Sequence, residues 1–113
     1  MTITYTDTLT GVTESQLTGF FGAWTQAPSP AVQMKLLAGS AARMLAIEAQ
    51  TGRVVGYLGI ALDGSGQAYV PMLEVLPAYQ GLGVAGELRR RMMAKLAPRV
   101  APRPHLNREL MVV

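Results

Sequence analysis

The run Gly81-Leu82-Gly83-Val84-Ala85-Gly86 places three glycines at the spacing G-x-G-x-x-G, immediately before a segment with helical periodicity. Glycines let the backbone approach a phosphate closely, and a helix that opens there aims free N–H groups at it. Any diphosphate satisfies that chemistry, so the neighbours of the loop must decide which one is held. Other chemistries are thin in this sequence. With no cysteine there are no disulfides, thiolate nucleophiles or cysteine-held zinc, and a single histidine, His105, makes a metal centre improbable. His105 itself stands beside Pro104 in a connector and reads as structural or exposed.

A dinucleotide site requires the first glycine directly after the first strand of a doubly wound sheet and an acidic residue about twenty positions later. Here Pro77-Ala78-Tyr79-Gln80 separates strand from glycine, and Ala101 to His105 contains no acid. Too little chain remains for a doubly wound sheet. Charge is distributed unevenly: residues 1–86 carry a net −2 and residues 87–113 a net +5. A solvated helix face, a phosphorylated small molecule and nucleic acid all fit such a patch. No aromatic residues interleave with Arg89, Arg90, Arg91, Arg99 and Arg103, which argues against single-stranded nucleic acid.

The elements that must position the loop follow from period and punctuation. Residues 1–113 form a single domain of globular composition, half apolar and 15% charged. Thr2–Thr6 reads as a strand. Thr13-Glu14-Ser15-Gln16 has the form of a capping box, and Leu17, Phe20, Phe21 and Trp24 follow at helical spacing, which predicts an amphipathic helix with Trp24 in the core. Ser29 and Pro30 predict the start of a second helix running to about Gly39. Three strands joined by the turns at Thr51-Gly52 and Asp63–Gly66 make an antiparallel meander ending at Pro77, with Glu48 and Asp63 as surface charges on its hairpins and Tyr57 and Tyr69 in packing roles. Val84, Leu88, Met92 and Leu96 then repeat every four residues along a helix, and residues 105–113 predict a final strand. The longest apolar and glycine run, Val54–Leu62, is too short to span a bilayer, and no basic leader precedes an apolar stretch, which implies a cytoplasmic protein.

The block Leu73 to Met93 resembles the phosphate-binding motif of the GNAT N-acetyltransferase superfamily, with Val75, Pro77, Tyr79, Gln80, Gly83 and Ala85 at the matching positions, and the order of elements is similar along nearly the whole chain. The resemblance implies an α/β (α+β) fold: a mostly antiparallel central sheet flanked by helices, with a parallel strand-helix-strand unit at a coenzyme site. It implies acetyl transfer from acetyl-CoA to a primary amine, on a small molecule or a protein. The coenzyme pyrophosphate would be held by Gln80, Gly81, Leu82, Gly83, Val84 and Ala85, and the pantetheine arm would run along the backbone at Glu74, Val75 and Leu76. Gly83 leaves no side chain to block the phosphate, whereas Gly81 and Gly86 fall outside the positions that the motif requires. Glu74 lies where family members can carry a carboxylate that removes the amine proton, whereas strand alternation would instead turn it to solvent on the face opposite Leu73 and Val75.

Family members usually continue with a further helix that supplies a tyrosine to protonate the departing thiolate, and here no tyrosine follows Tyr79. A non-catalytic coenzyme-binding or regulatory module is therefore the alternative reading. The apolar run Leu110-Met111-Val112-Val113 predicts a sheet edge that a second copy covers, giving a homodimer.

Overall fold

The computed structural model describes residues 2–22, 24–62 and 68–96. Within them β1 (Ile3–Thr6), β2 (Ala42–Glu48), β3 (Val54–Leu62) and β4 (Ala68–Val75) form a sheet in the order β1-β2-β3-β4, every neighbouring pair antiparallel. Two helices flank it, α1 (Pro30–Ala38) and α2 (Val84–Leu96). The α+β class expected from the sequence is the class found. The expected parallel partner strand at 105–113, His105, Asp63 and the C-terminal dimer edge lie outside the described residues.

The two sheet faces can be assigned from contacts. A Cβ placed on Gly56 would meet Val84 and Leu88 of α2. The next residue, Tyr57, packs on Phe20 and bonds Gln33 of α1. Alternation then assigns one face of β3 and β4 to α2 and the other to α1. α2 presents Val84, Leu88, Met92 and Leu96 to the sheet, all buried, at the predicted four-residue repeat. Its flank Glu87–Arg91–Lys95 borders β1: Arg91 lies over the Tyr5 ring at 4.5 Å and Lys95 donates to Asp7 at 2.9 Å. Its other flank carries Ala85, Arg89 and Met93, all half-buried.

α1 begins as the sequence predicts. Ser29 is extended, and its hydroxyl accepts the Val32 N–H at 3.2 Å with Pro30 at the first helical position. Ser29→Ala should cost about 1 kcal/mol of stability through loss of this cap, readable as a lower urea midpoint at unchanged slope.

The helix predicted after Thr13 does not form. Only the 3-10 turn Glu14–Leu17 is present, closed by Thr13 N–H to Gln16 Oε1 as the capping pattern anticipated. Thr18 is already extended at ψ 153°, and the Thr18 carbonyl is taken by Arg53 Nη2 at 3.1 Å, so the next turn of helix loses an acceptor. Gly19 then adopts φ +91° and Phe21 φ +61°. Phe20 still enters the core, but Trp24 is 61% exposed, against the expected core position, with its ring edge-on to Phe21 at 5.0 Å. Two glycines in four residues, each about 1 kcal/mol worse than alanine in a helix, tip the balance.

Glu48 also departs from expectation. Rather than a surface charge, it is 6% exposed, and both its oxygens accept the Gln50 N–H, at 2.9 and 3.1 Å. The tight turn brings an N–H donor within reach of the carboxylate, which satisfies the buried charge.

Candidate functional site

The site is built from the end of β4 and the start of α2. Leu76 extends the strand by one bond, its N–H donating to Val55 O at 2.9 Å, and Pro77 then diverts the chain into the 3-10 turn Pro77–Tyr79. Gln80 folds its side chain back, Nε2 donating to Val75 O at 3.1 Å, so the turn is tied to the strand it has left. Gly81 and Gly83 both take left-handed backbone, φ +83° and +84°, which only glycine adopts without strain. The motif resemblance singled out Gly83 alone; the second turn of the loop needs Gly81 as well.

The first helical bond runs from Glu87 N–H to Gly83 O at 3.0 Å. The N–H groups of Val84, Ala85 and Gly86 precede it and so have no partner within the helix. They border a cavity of about 170 Å³ lined by Val75, Tyr79, Gln80, Gly81, Gly83, Val84, Ala85 and Gly86. Of the positions named from sequence, Val75, Gln80, Gly81, Gly83, Val84 and Ala85 are together there, Leu76 is buried next to Gly19 and outside the lining set, and Leu82 is 58% exposed and also outside it. Gly86, set aside in the sequence reading, lines the cavity because it begins the second residue pair of the helix's first turn. Unpaired N–H donors and the positive end of the helix dipole suit an anion in this cavity.

Gly56 escaped the sequence reading. A Cβ there would stand 3.0 Å from Val84 Cγ1, 3.3 Å from Leu88 Cδ1 and 3.3 Å from Glu74 O, so its hydrogen lets the first turn of α2 lie against the sheet. A glycine inside an otherwise apolar strand was the available signal.

Glu74 lies on the α1 face, directly opposite Tyr57 in the β3–β4 register, and Val75 beside it belongs to the cavity. It is half-buried, and desolvation holds its carboxyl above the ordinary glutamate range. Tyr57 is fully buried and Tyr69 is 46% exposed, so packing describes the first and not the second.

Two of the patch arginines, Arg90 and Arg91, are paired on the helix itself. Glu87 accepts from Arg90 Nε at 3.0 Å and from Arg91 Nε at 2.6 Å, which holds its carboxyl down at about 2. Arg89 has a buried Nε without a partner among the described residues, and Arg99 and Arg103 lie outside them. Among the described residues there is no cluster of three or more potential metal ligands and no helix long and apolar enough to cross a membrane.

Comparison with known proteins agrees with the geometry. Residues 9–108 match the family model described as acetyltransferase (GNAT) family. The chain is similar to the solved structure of an acetyltransferase from Deinococcus radiodurans, with 37% identity and a TM-score of 0.77 over 83% of this chain. It spans 65% of that protein's length, a little under two thirds. A GNAT family acetyltransferase from Streptococcus pneumoniae shares the fold at 22% identity and a TM-score of 0.64, over 91% of this chain and 77% of that one. So does a GNAT family acetyltransferase from Brucella melitensis in complex with acetyl-CoA, at 20% identity and a TM-score of 0.63, over 86% of this chain and 70% of that one. A search of curated proteins finds no match.

Proposed function

Because the chain belongs to the acetyltransferase (GNAT) family, we propose that it transfers the acetyl group of acetyl-CoA to a primary amine. The observation that carries this reading is the loop Gln80–Gly83, which opens α2 with unpaired N–H groups around a cavity beside β4. Val84, Ala85 and Gly86 N–H would hold the pyrophosphate oxygens, and Gly81 and Gly83 keep side chains out of their way. The edge of β4 at Glu74–Leu76 would receive the pantetheine arm. Direct transfer forms an N–C bond and breaks the C–S bond, and the amine must shed a proton as this happens. Glu74 is the group proposed to accept it. The acceptor is a small-molecule or protein amine, and a cytoplasmic homodimer completes the reading, supported by the apolar run 110–113 and tested by light scattering. Calorimetric titration with acetyl-CoA tests the coenzyme site; absence of heat at millimolar ligand would remove it.

Glu74 makes a prediction with two signs. A proton acceptor works ionised, so activity should fall as pH drops through a midpoint above the usual glutamate range. Glu74→Gln should lower kcat by about 10²- to 10⁴-fold and erase that limb, read as thiol release from acetyl-CoA with a panel of amines. Stability runs the other way. A raised folded-state value means that the folded protein binds the proton more tightly, a contribution present below the unfolded-state value and lost as pH rises. Glu74→Gln should therefore leave stability at pH 7 unchanged or increased, and a clear loss would contradict this account.

A further inference from the structure

Tyr57 leaves β3 on the α1 face, opposite Glu74. Its ring is fully buried, tilted against Phe20 with centroids 4.9 Å apart, and its hydroxyl donates to Gln33 Oε1 at 2.9 Å. Gln33 is itself only 2% exposed, and its Nε2 donates to the Pro28 carbonyl at 3.0 Å. Both ends of the segment between Phe20 and Gln33 are thus pinned to one side chain, beside the strand that carries Glu74.

Two apolar side chains would fill the same volume without the cost of desolvating a phenol and an amide. The polar pair has a direction that an apolar pair lacks. A phenol has one proton, and here it is committed to Gln33, so Tyr57 has none to offer the carboxylate across the ladder.

We propose that Tyr57 and Gln33 are positioning residues for Glu74: their hydrogen bond ties the first turn of α1 to the strand directly beside Glu74, limits water there and keeps the phenolic proton away from the carboxylate. Glu74 thereby retains the basicity that proton removal demands. The proposal rests on the reading of Glu74 as the proton acceptor. Burial first, and then the charge of Glu74, keep the Tyr57 phenol from ionising, so the phenol remains a donor to Gln33 at every working pH. Charged groups on the neighbouring elements are engaged elsewhere: Arg43 of β2 donates to the Leu37 and Ser40 carbonyls, Arg53 donates to Thr18 O, and Lys35 of α1 is exposed. Desolvation is accordingly the cause that acts on Glu74.

The test is a pH titration of the full chain carrying ¹³C at the glutamate carboxyls, followed by NMR. The Glu74 midpoint should fall by about half a pH unit or more in Gln33→Ala, as water reaches the carboxylate, while that of Glu87 stays in place. Tyr57→Phe, which keeps the ring on Phe20, should move it in the same direction by less. Should Gln33→Ala not fold, Gln33→Met keeps the volume and drops the bond, and the same downward shift is expected. A Glu74 curve that superimposes on the wild type in a folded Gln33 variant overturns the proposal, as does an equal displacement of Glu87, which would mean general loosening. Calorimetry with acetyl-CoA separates this from the assigned reaction. Coenzyme affinity should be unchanged in every variant, since its cavity is on the other side of β4. A wild type that binds no acetyl-CoA would sink the reaction and leave the titration to judge the pair.

Discussion

Gly83→Glu should abolish measurable acetyl-CoA binding, a loss of at least about 100-fold or roughly 3 kcal/mol, while the protein remains folded. The fold tolerates the added bulk because a Cβ at this position has nothing within 4 Å. The cost to the free protein is backbone strain, since φ +84° disfavours any L side chain by about 1–2 kcal/mol. Binding should suffer far more, because the carboxylate enters the cavity proposed for the diphosphate and sits at the helix end whose dipole it neutralises. Gly83→Ala separates the two effects: it carries the strain without the charge and should retain most of the affinity. Calorimetry at several salt concentrations reads both variants, and a Glu variant that binds within a few-fold of wild type places the coenzyme elsewhere.

Gly56→Val is the second change with a large expected effect, and it acts without touching ligand. The first added carbon already stands 3.0 Å from Val84 Cγ1 and 3.3 Å from the Glu74 carbonyl, and the branched methyls have still less room. Since the Glu74 carbonyl belongs to the sheet, α2 is the element that gives. Overpacking of this kind costs about 2 kcal/mol, about 10 °C in Tm for a domain of this size. The displaced first turn carries the N–H groups of Val84, Ala85 and Gly86, so acetyl-CoA affinity should fall together with Tm. Leu88→Ala is the contrast. It removes a fully buried side chain one turn further along, and should cost about 2–5 kcal/mol while the folded fraction still binds. Unchanged affinity in a folded Gly56→Val protein would show that the position of the helix start does not govern the site.

Sequence carried the parts of this molecule that depend on period and on local backbone chemistry. The α2 repeat at Val84, Leu88, Met92 and Leu96 was visible because one helix face packs on one sheet face, and the Ser29-Pro30 start of α1 because a cap is a matter of adjacent residues. What failed was set by contacts distant in sequence. The spacing of Leu17, Phe20, Phe21 and Trp24 is helical, yet Arg53, from a hairpin turn, takes the Thr18 carbonyl and glycines carry the chain out of the helix. Glu48 looked like a surface charge because its donor, the Gln50 N–H, exists only once the turn is formed. The loop at Gly81 and Gly83 is legible as glycine turns that open a helix, whereas Gly56, which lets the first turn of that helix lie against the sheet, lies a whole strand away from it in sequence. The Tyr57–Gln33 bond is invisible for the same reason, joining the middle of β3 to a helix that precedes β2.

β4 presents Glu74 to α1 and Val75 to the cavity under α2, so consecutive residues serve opposite sides of one sheet. A strand of this kind lets the two halves of a transferase diverge at different rates. Substitutions on the α1 side then bear on the face that carries Glu74 and leave the face that carries Val75 and the cavity untouched. An insertion or deletion of one residue within β4 has the opposite character. It leaves a strand that still pairs, but exchanges the two faces and turns an acid toward the α2 cavity, so length changes should be purged from β4 even where its individual side chains are free to drift.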